Sequence, residues 1–166
     1  LTLNPIVEDE FMDNNITIKE YITEIVKSFE EISNKKFILD YQSDTKYINF
    51  VKSIEIIYGL RNFIGNANKF AREKIYITVK NDQNIVNIII EDDGIGFSRD
   101  VLNKIGQPFI KSLKKENKSK SGLGLGIFIG KTLLEKNKAR IIFENSKIHS
   151  GGKVNISWKN NDLLNL

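Results

Sequence analysis

The residues that could do chemistry fall into three short segments. In the first, Asn62 and Asn66 stand four apart, Lys69 follows three residues after Asn66, and Phe70 is next to it. If this stretch is helical, that spacing puts both amides on one side with an ammonium and an aromatic ring near the same edge. Amide oxygens are hard donors suited to Mg²⁺, a lysine suits a phosphate, and a ring can stack on a base. The second segment is Asp92-Asp93-Gly94-Ile95-Gly96. A carboxylate at the end of a strand can accept a hydrogen bond from an exocyclic amine such as that of adenine, and the two glycines let a ligand approach the backbone. The third is Gly122-Leu123-Gly124-Leu125-Gly126-Ile127, three alternating glycines just before a helical pattern. Unobstructed backbone N–H groups at a helix start cradle phosphate. The spacing is that of neither the dinucleotide fingerprint nor a P-loop. Each segment alone has a plain alternative: a solvated helix face, an ordinary Asp-Gly turn, a hinge.

The elements that must position them are legible from periodicity. Thr17 with Glu20 has capping-box spacing, and Ile18, Ile22, Ile25, Val26 and Phe29 predict a helix to about Ile32. Lys36–Tyr41 reads as a strand, with a second one around Lys46–Phe50. Ile54, Ile57, Leu60, Ile64, Ala67 and Ala71 mark one face of a long helix from about Lys52 to Ala71. Ile75–Val79 and Ile85–Ile90 read as strands joined by the polar turn Asn81-Asp82-Gln83-Asn84. A short helix at Arg99–Lys104 precedes an aperiodic, lysine-bearing stretch, Gln107–Ser121, which reads as a mobile loop. A helix from Gly124 to about Lys136 and strands at Ala139–Asn145 and Lys153–Trp158 complete an α+β fold, a mixed sheet with helices on one face.

Composition excludes several chemistries. The 166 residues suit one domain. With no cysteine and one histidine, His149, disulfides, thiolate zinc sites, cysteine nucleophiles and histidine clusters are ruled out. The net charge of +4 accompanies 27 Ile, 21 Lys and 19 Asn, all A/T-rich codons, so the lysines trace to nucleotide bias and no nucleic-acid partner is expected. Apolar runs such as Ile88-Ile89-Ile90 are too short to span a bilayer.

In order and spacing the three segments resemble the boxes of the GHKL (Bergerat) ATPase/kinase superfamily, specifically the ATP-binding domain of sensor histidine kinases. Leu60–Phe70 resembles the N box, Asp92–Gly96 the first G box, Gly106-Gln107-Pro108-Phe109 the F box, Gly122–Gly126 the second G box, and Gly151-Gly152 the last glycine motif. Gly122–Glu135 is most similar to the RegB-type kinases. The resemblance implies a two-layer α/β sandwich, a mixed sheet on about three helices, with Gln107–Ser121 as an ATP lid. It implies ATP and Mg²⁺ as cofactors. Asn66 would ligate Mg²⁺ with Asn62 beside it, Lys69 would contact phosphate with Lys111 as a further candidate, and Phe70 would lie against adenine. Asp92 would bind the adenine amino group, Gly94 and Gly96 would let the base sit close, and Gly122, Leu123, Gly124, Leu125 and Gly126 would border the phosphates.

Where GHKL hydrolases and anti-sigma serine kinases generally carry a glutamate as general base, this chain has Asn62, which takes no proton at neutral pH. The resemblance therefore implies a domain that orients Mg-ATP for an external nucleophile, a histidine on a separate dimerisation domain, for relay to a response regulator. A nucleotide-binding regulator of the anti-sigma type and an ATPase are the rival readings. His149 precedes Gly151-Gly152 in an apparent hairpin and is expected to be a turn residue rather than the phosphoacceptor. The expected organisation is a linker over residues 1–16 from the dimerisation domain, the catalytic domain over 17–160 and a tail over 161–166. The unit is expected to be cytoplasmic and monomeric, with anchorage of a parent chain in the inner membrane left open.

Overall fold

The computed structural model describes residues 15–43, 48–105 and 124–166. Its elements are β1 (Asn15–Ile16), α1 (Ile18–Glu30), β2 (Lys36–Ser43), β3 (Phe50–Val51), α2 (Ile54–Phe70), β4 (Lys74–Asn81), β5 (Ile85–Asp92), α3 (Arg99–Ile105), α4 (Gly124–Lys136), β6 (Arg140–Asn145), β7 (Gly152–Lys159) and α5 (Asn160–Leu164). Five strands form one sheet in the order β2-β4-β5-β7-β6. β2 runs parallel to β4 and the other neighbours are antiparallel, so the sheet is mixed.

Alternation sorts the sheet into two faces. Ile75, Ile77 and Val79 of β4, Val86, Ile88 and Ile90 of β5, and Val154, Ile156 and Trp158 of β7 are buried in one core with side chains from α1, α2 and α4. The opposite face carries Tyr76, Thr78, Asn87, Ile89, Glu91, Lys153, Asn155 and Ser157, which are half-buried. This is the expected two-layer α+β sandwich. The Thr17–Glu20 capping box forms in both directions, and Ser53 caps α2 by accepting from the Ile56 N–H. The Trp158 indole N–H finds the Asn137 carbonyl at 3.0 Å, which lets the ring be buried without an unpaired donor.

Three expectations change. The buried face of α2 is Ile56, Leu60, Phe63, Ile64 and Ala67, whereas Ile54, expected to be buried, is exposed. The strand expected around Lys46–Phe50 is shorter: Phe50–Val51 pairs with Asn15–Ile16, so the last two residues assigned to the linker belong to the fold, and Ile16 is buried. The expected tail begins within α5, whose Leu163 is 2% exposed; Asn160 ties this helix to the β4–β5 turn through Asn84 O (2.8 Å) and Asp82 O (3.0 Å).

The second acid of the Asp92-Asp93 pair is an organiser of the fold. The Asp93 carboxylate accepts from the backbone N–H groups of Arg72 (2.7 Å), Glu73 (3.1 Å) and Lys74 (3.1 Å). It thereby holds the link between α2 and β4. Desolvation pushes its pKa upward, but the amide bonds outweigh it and the carboxyl is held below its ordinary value. A depressed folded pKa means stability that is present above the ordinary carboxylate range and is lost as pH falls through the folded value. Asp93→Ala is expected to cost about 1–2 kcal/mol, the worth of hydrogen bonds to a charge at a partly solvated site. Urea unfolding at pH 7 measures it, and the difference from wild type should shrink on acidification.

Candidate functional site

The C-terminal half of α2 and the end of β5 meet at one edge of the sandwich. Asn66, Phe70, Asp92, Ile95, Gly96, Phe97 and Gly152 line a recess there. Its walls are mainly apolar and Asp92 supplies its buried charge. That carboxylate is only 6% exposed. Its Oδ1 accepts from the Gly94 N–H at 2.8 Å, and the Gly152 N–H also donates to it. Burial dominates over these bonds and pushes the pKa above the ordinary carboxylate value. An apolar slot with one precisely held acceptor is the pattern of a small-molecule site.

Two glycines of the β5 turn are dictated by close approach. A β-carbon on Gly94 would lie 2.2 Å from the Phe70 carbonyl oxygen. Gly96 has φ +79, a left-handed conformation, and a β-carbon there would meet Asn145 Oδ1 at 2.7 Å. The turn is therefore pressed against the end of α2 on one side and β6 on the other.

The other predicted residues are placed as follows. The Asn62 amide donates to the Tyr58 carbonyl at 2.8 Å, one turn back, and its Oδ1 faces α4. A β-carbon on Gly126 would lie 3.5 Å from that oxygen, so Asn62 and Gly126 adjoin while neither lines the recess. Lys69 is exposed, with Nζ 5.4 Å from the Phe70 ring centroid. Gly124 and Leu125 open α4, and Leu125 is exposed. Lys111, Gly122, Leu123, the Gly106–Phe109 motif and the Gln107–Ser121 stretch lie outside the described residues.

Sequence reasoning missed Phe97 and Asn145. Phe97 forms part of the recess, and Asn145 fixes its backbone from both sides, accepting from the Phe97 N–H at 2.7 Å and donating to its carbonyl at 2.9 Å. Nothing local to Asn145 signals this, because its partner is 48 residues away. The approach of α2 to α4 was also missed. A β-carbon on Gly59 would sit 2.5 Å from Leu134 Cγ, and one on Gly130 would sit 3.2 Å from the Gly59 carbonyl. The Gly126/Gly130 spacing of four was the available signal.

Asn62 and Asn66 offer neutral amide oxygens. That donor set fits a Mg²⁺ arriving with a polyphosphate rather than one caged by the protein, since Mg²⁺ keeps phosphate and water ligands and takes few from protein. Among the described residues no cluster of three His, Cys, Asp or Glu could hold an ion by itself.

Comparison with known proteins fits this geometry. The RegB sensor histidine kinase of Cereibacter sphaeroides is 39% identical over 97 residues, 55% of this chain and 21% of RegB. CpxA of Escherichia coli is 24% identical over 159 residues, 89% of this chain and 34% of CpxA. The chain thus spans well under half of the relatives it matches. Among solved structures, the catalytic domain of histidine kinase ThkA superimposes with a TM-score of 0.68 at 23% identity, covering 87% of this chain and 93% of that one, and shares the fold. Residues 52–161 match the family model described as histidine kinase-, DNA gyrase B- and HSP90-like ATPase, which takes in the whole recess, and the chain belongs to that family.

Proposed function

We propose that this chain is the ATP-binding catalytic unit of a two-component sensor histidine kinase. The observation that carries the reading is Asp92, a buried carboxylate at the end of an apolar recess between Phe70, Ile95 and Phe97. Adenine would enter edge-on, its amino group donating to Asp92. The phosphates would then run toward Asn66, Asn62 and Lys69; Asn66, with Asn62 beside it, would hold a Mg²⁺ that neutralises their charge. Lys111 and the Gly122–Gly126 run are further candidates for contact with the phosphates.

Asn62 supports transfer to an external nucleophile over hydrolysis. Glu55, the nearest acid preceding it on α2, is paired with Lys136 at 3.0 Å and lies two helical turns away. With an amide rather than a carboxylate at position 62, the described groups position ATP and neutralise its charge, which is most of what phosphoryl transfer requires. In the transfer the bond between the γ-phosphorus and its bridging oxygen breaks, a phosphorus–nitrogen bond forms, and ADP leaves. The acceptor imidazole would belong to a dimerisation domain of the parent chain, and the phosphoryl group would pass on to a response regulator. The linker role of the residues before 15 and a cytoplasmic location belong to this reading. No helix among the described residues is long and apolar enough to cross a membrane.

His149 lies in the β6–β7 turn with its ring flat on Tyr76, centroids 3.6 Å apart at 12°, and is not among the residues that line the recess. The 166-residue chain is therefore expected to bind Mg-ATP in a calorimeter yet take up no label from γ-labelled ATP. Alkali-stable, acid-labile label on His149 would refute the assignment of roles, and absence of binding would refute the reading as a whole.

A further inference from the structure

The turn between β6 and β7, residues 146–151, does more than reverse the chain. It folds back over the half-buried face of the sheet at the end that holds Asp92. Ser146 Oγ donates to Glu91 Oε1 at 2.8 Å and accepts from the His149 N–H at 2.9 Å, while the Ser146 N–H closes the turn on the Gly151 carbonyl at 2.8 Å. His149 then reaches past β5 to stack on Tyr76 of β4, the residue paired with Glu91 in the register. The turn is thus strapped down at two points, on strands β5 and β4.

Its other side bears on the recess. A β-carbon on Gly151 would lie 2.1 Å from both the carbonyl oxygen and Oδ1 of Asp92, so the strap backbone packs directly on that residue. Gly152 donates its N–H to the Asp92 carboxylate. Ser150 sits at φ +72, a conformation costly for a residue with a side chain, and its Oγ lies 3.5 Å from the Gly94 carbonyl. A strained backbone of this kind persists only where its surroundings hold it, and the Tyr76–His149 and Glu91–Ser146 contacts do so.

We propose that His149 is a positioning residue for adenine recognition: stacked on Tyr76, it holds the 146–151 strap so that Gly151 and Gly152 fix the Asp92 carboxylate against the base. The inference rests on the assignment of adenine to Asp92. It gives the single histidine of the chain a role that needs a flat ring and no proton.

The experiment compares ADP with IDP, each with Mg²⁺, by calorimetry on the whole 166-residue chain. The two differ at the purine 6-position, where IDP carries an oxygen that Asp92 would repel. Losing a half-buried aromatic stack is worth about a fivefold change, so His149→Ala should weaken ADP by that factor while IDP changes little, narrowing the selectivity. His149→Phe, which keeps a flat ring, should restore ADP binding to within about twofold. Ser146→Ala, which cuts the second anchor, should shift the ADP-to-IDP ratio the same way by about threefold. Circular dichroism of each variant establishes that it is folded. An unchanged ratio in both His149→Ala and Ser146→Ala, equal losses for the two nucleotides, or failure of His149→Phe to rescue would each overturn the proposal. If wild type binds no ADP, the adenine assignment itself fails; if wild type binds and the ratio does not move, only the strap does.

Discussion

Asp92→Asn is expected to weaken Mg-ADP binding by about 10–100-fold while the chain stays folded, the cost of leaving a buried donor unpaired being about 1–3 kcal/mol. The carboxylate has two oxygens and three claims on them: the Gly94 N–H at 2.8 Å, the Gly152 N–H and, in the bound state, the adenine amino group. An asparagine has one acceptor oxygen. Whichever way the amide is turned, its NH₂ faces either a backbone N–H or the base, donor against donor. Burial raises the Asp92 pKa, so its ionised form is the one disfavoured in the empty fold and favoured by the ligand's amino group. The sign follows from that. ADP affinity should fall as pH is lowered through the raised pKa, and the carboxyl's contribution to stability, fullest below its ordinary value, is lost as pH rises through it. Both dependences should vanish in Asp92→Asn. Calorimetry across mildly acidic to neutral pH checks the set, and a variant that binds ADP like wild type would sink the assignment of adenine to this residue.

Gly94→Ala should be among the most damaging single-methyl changes at the described residues. The new β-carbon would sit 2.2 Å from the Phe70 carbonyl oxygen and 2.8 Å from Asp92 Oδ1. The first neighbour is backbone at the end of α2 and has no rotamer to escape into, so either the β5 turn or the helix end must move. Overpacking of this kind costs about 2–3 kcal/mol. Because Phe70 and Asp92 both line the recess, ADP binding should fall in parallel. Gly65→Ala is the informative control: its β-carbon would meet only the edge of the Phe29 ring at 3.3 Å, inside a helix where alanine gains about 1 kcal/mol over glycine. Urea unfolding should show Gly65→Ala within about 1 kcal/mol of wild type. If Gly94→Ala is as mild, the close contact between the two segments is wrong.

How far the sequence could be read depended on the range of the interactions. The Thr17–Glu20 box, the β4–β5 hairpin and the helical run through Leu60 and Ile64 are set by residues within one turn of each other, and periodicity exposes them. The face of α2 was harder at its start, because Ile54, Ile56 and Ile57 are all apolar; tertiary packing selects Ile56 for the core and leaves Ile54 outside. α5 escaped notice because Asn160-Asn161-Asp162 reads as a polar end, and only the long-range contacts of Asn160 and Leu163 make it part of the fold. At the recess, Asn66, Phe70, Asp92 and Gly96 were marked by composition and spacing. Phe97, Asn145 and the His149 strap were hidden, since each acquires its role from a partner far away in the sequence.

The strand order has a consequence for the order of assembly. β7 lies between β5 and β6, and among the described strands β6 pairs with β7 alone. As a ribosome delivers the chain N-terminus first, α2, β4 and β5 can meet early, yet β6 has no neighbour and one edge of β5 stays open until Gly152–Lys159 is made. Gly152 closes the recess in the same event. Competence to hold a nucleotide would therefore arrive late and all at once, with the insertion of a central strand. No nascent form that ends before Gly152 could be rescued by ligand, and ADP binding would serve as a read-out of chains extended past β7.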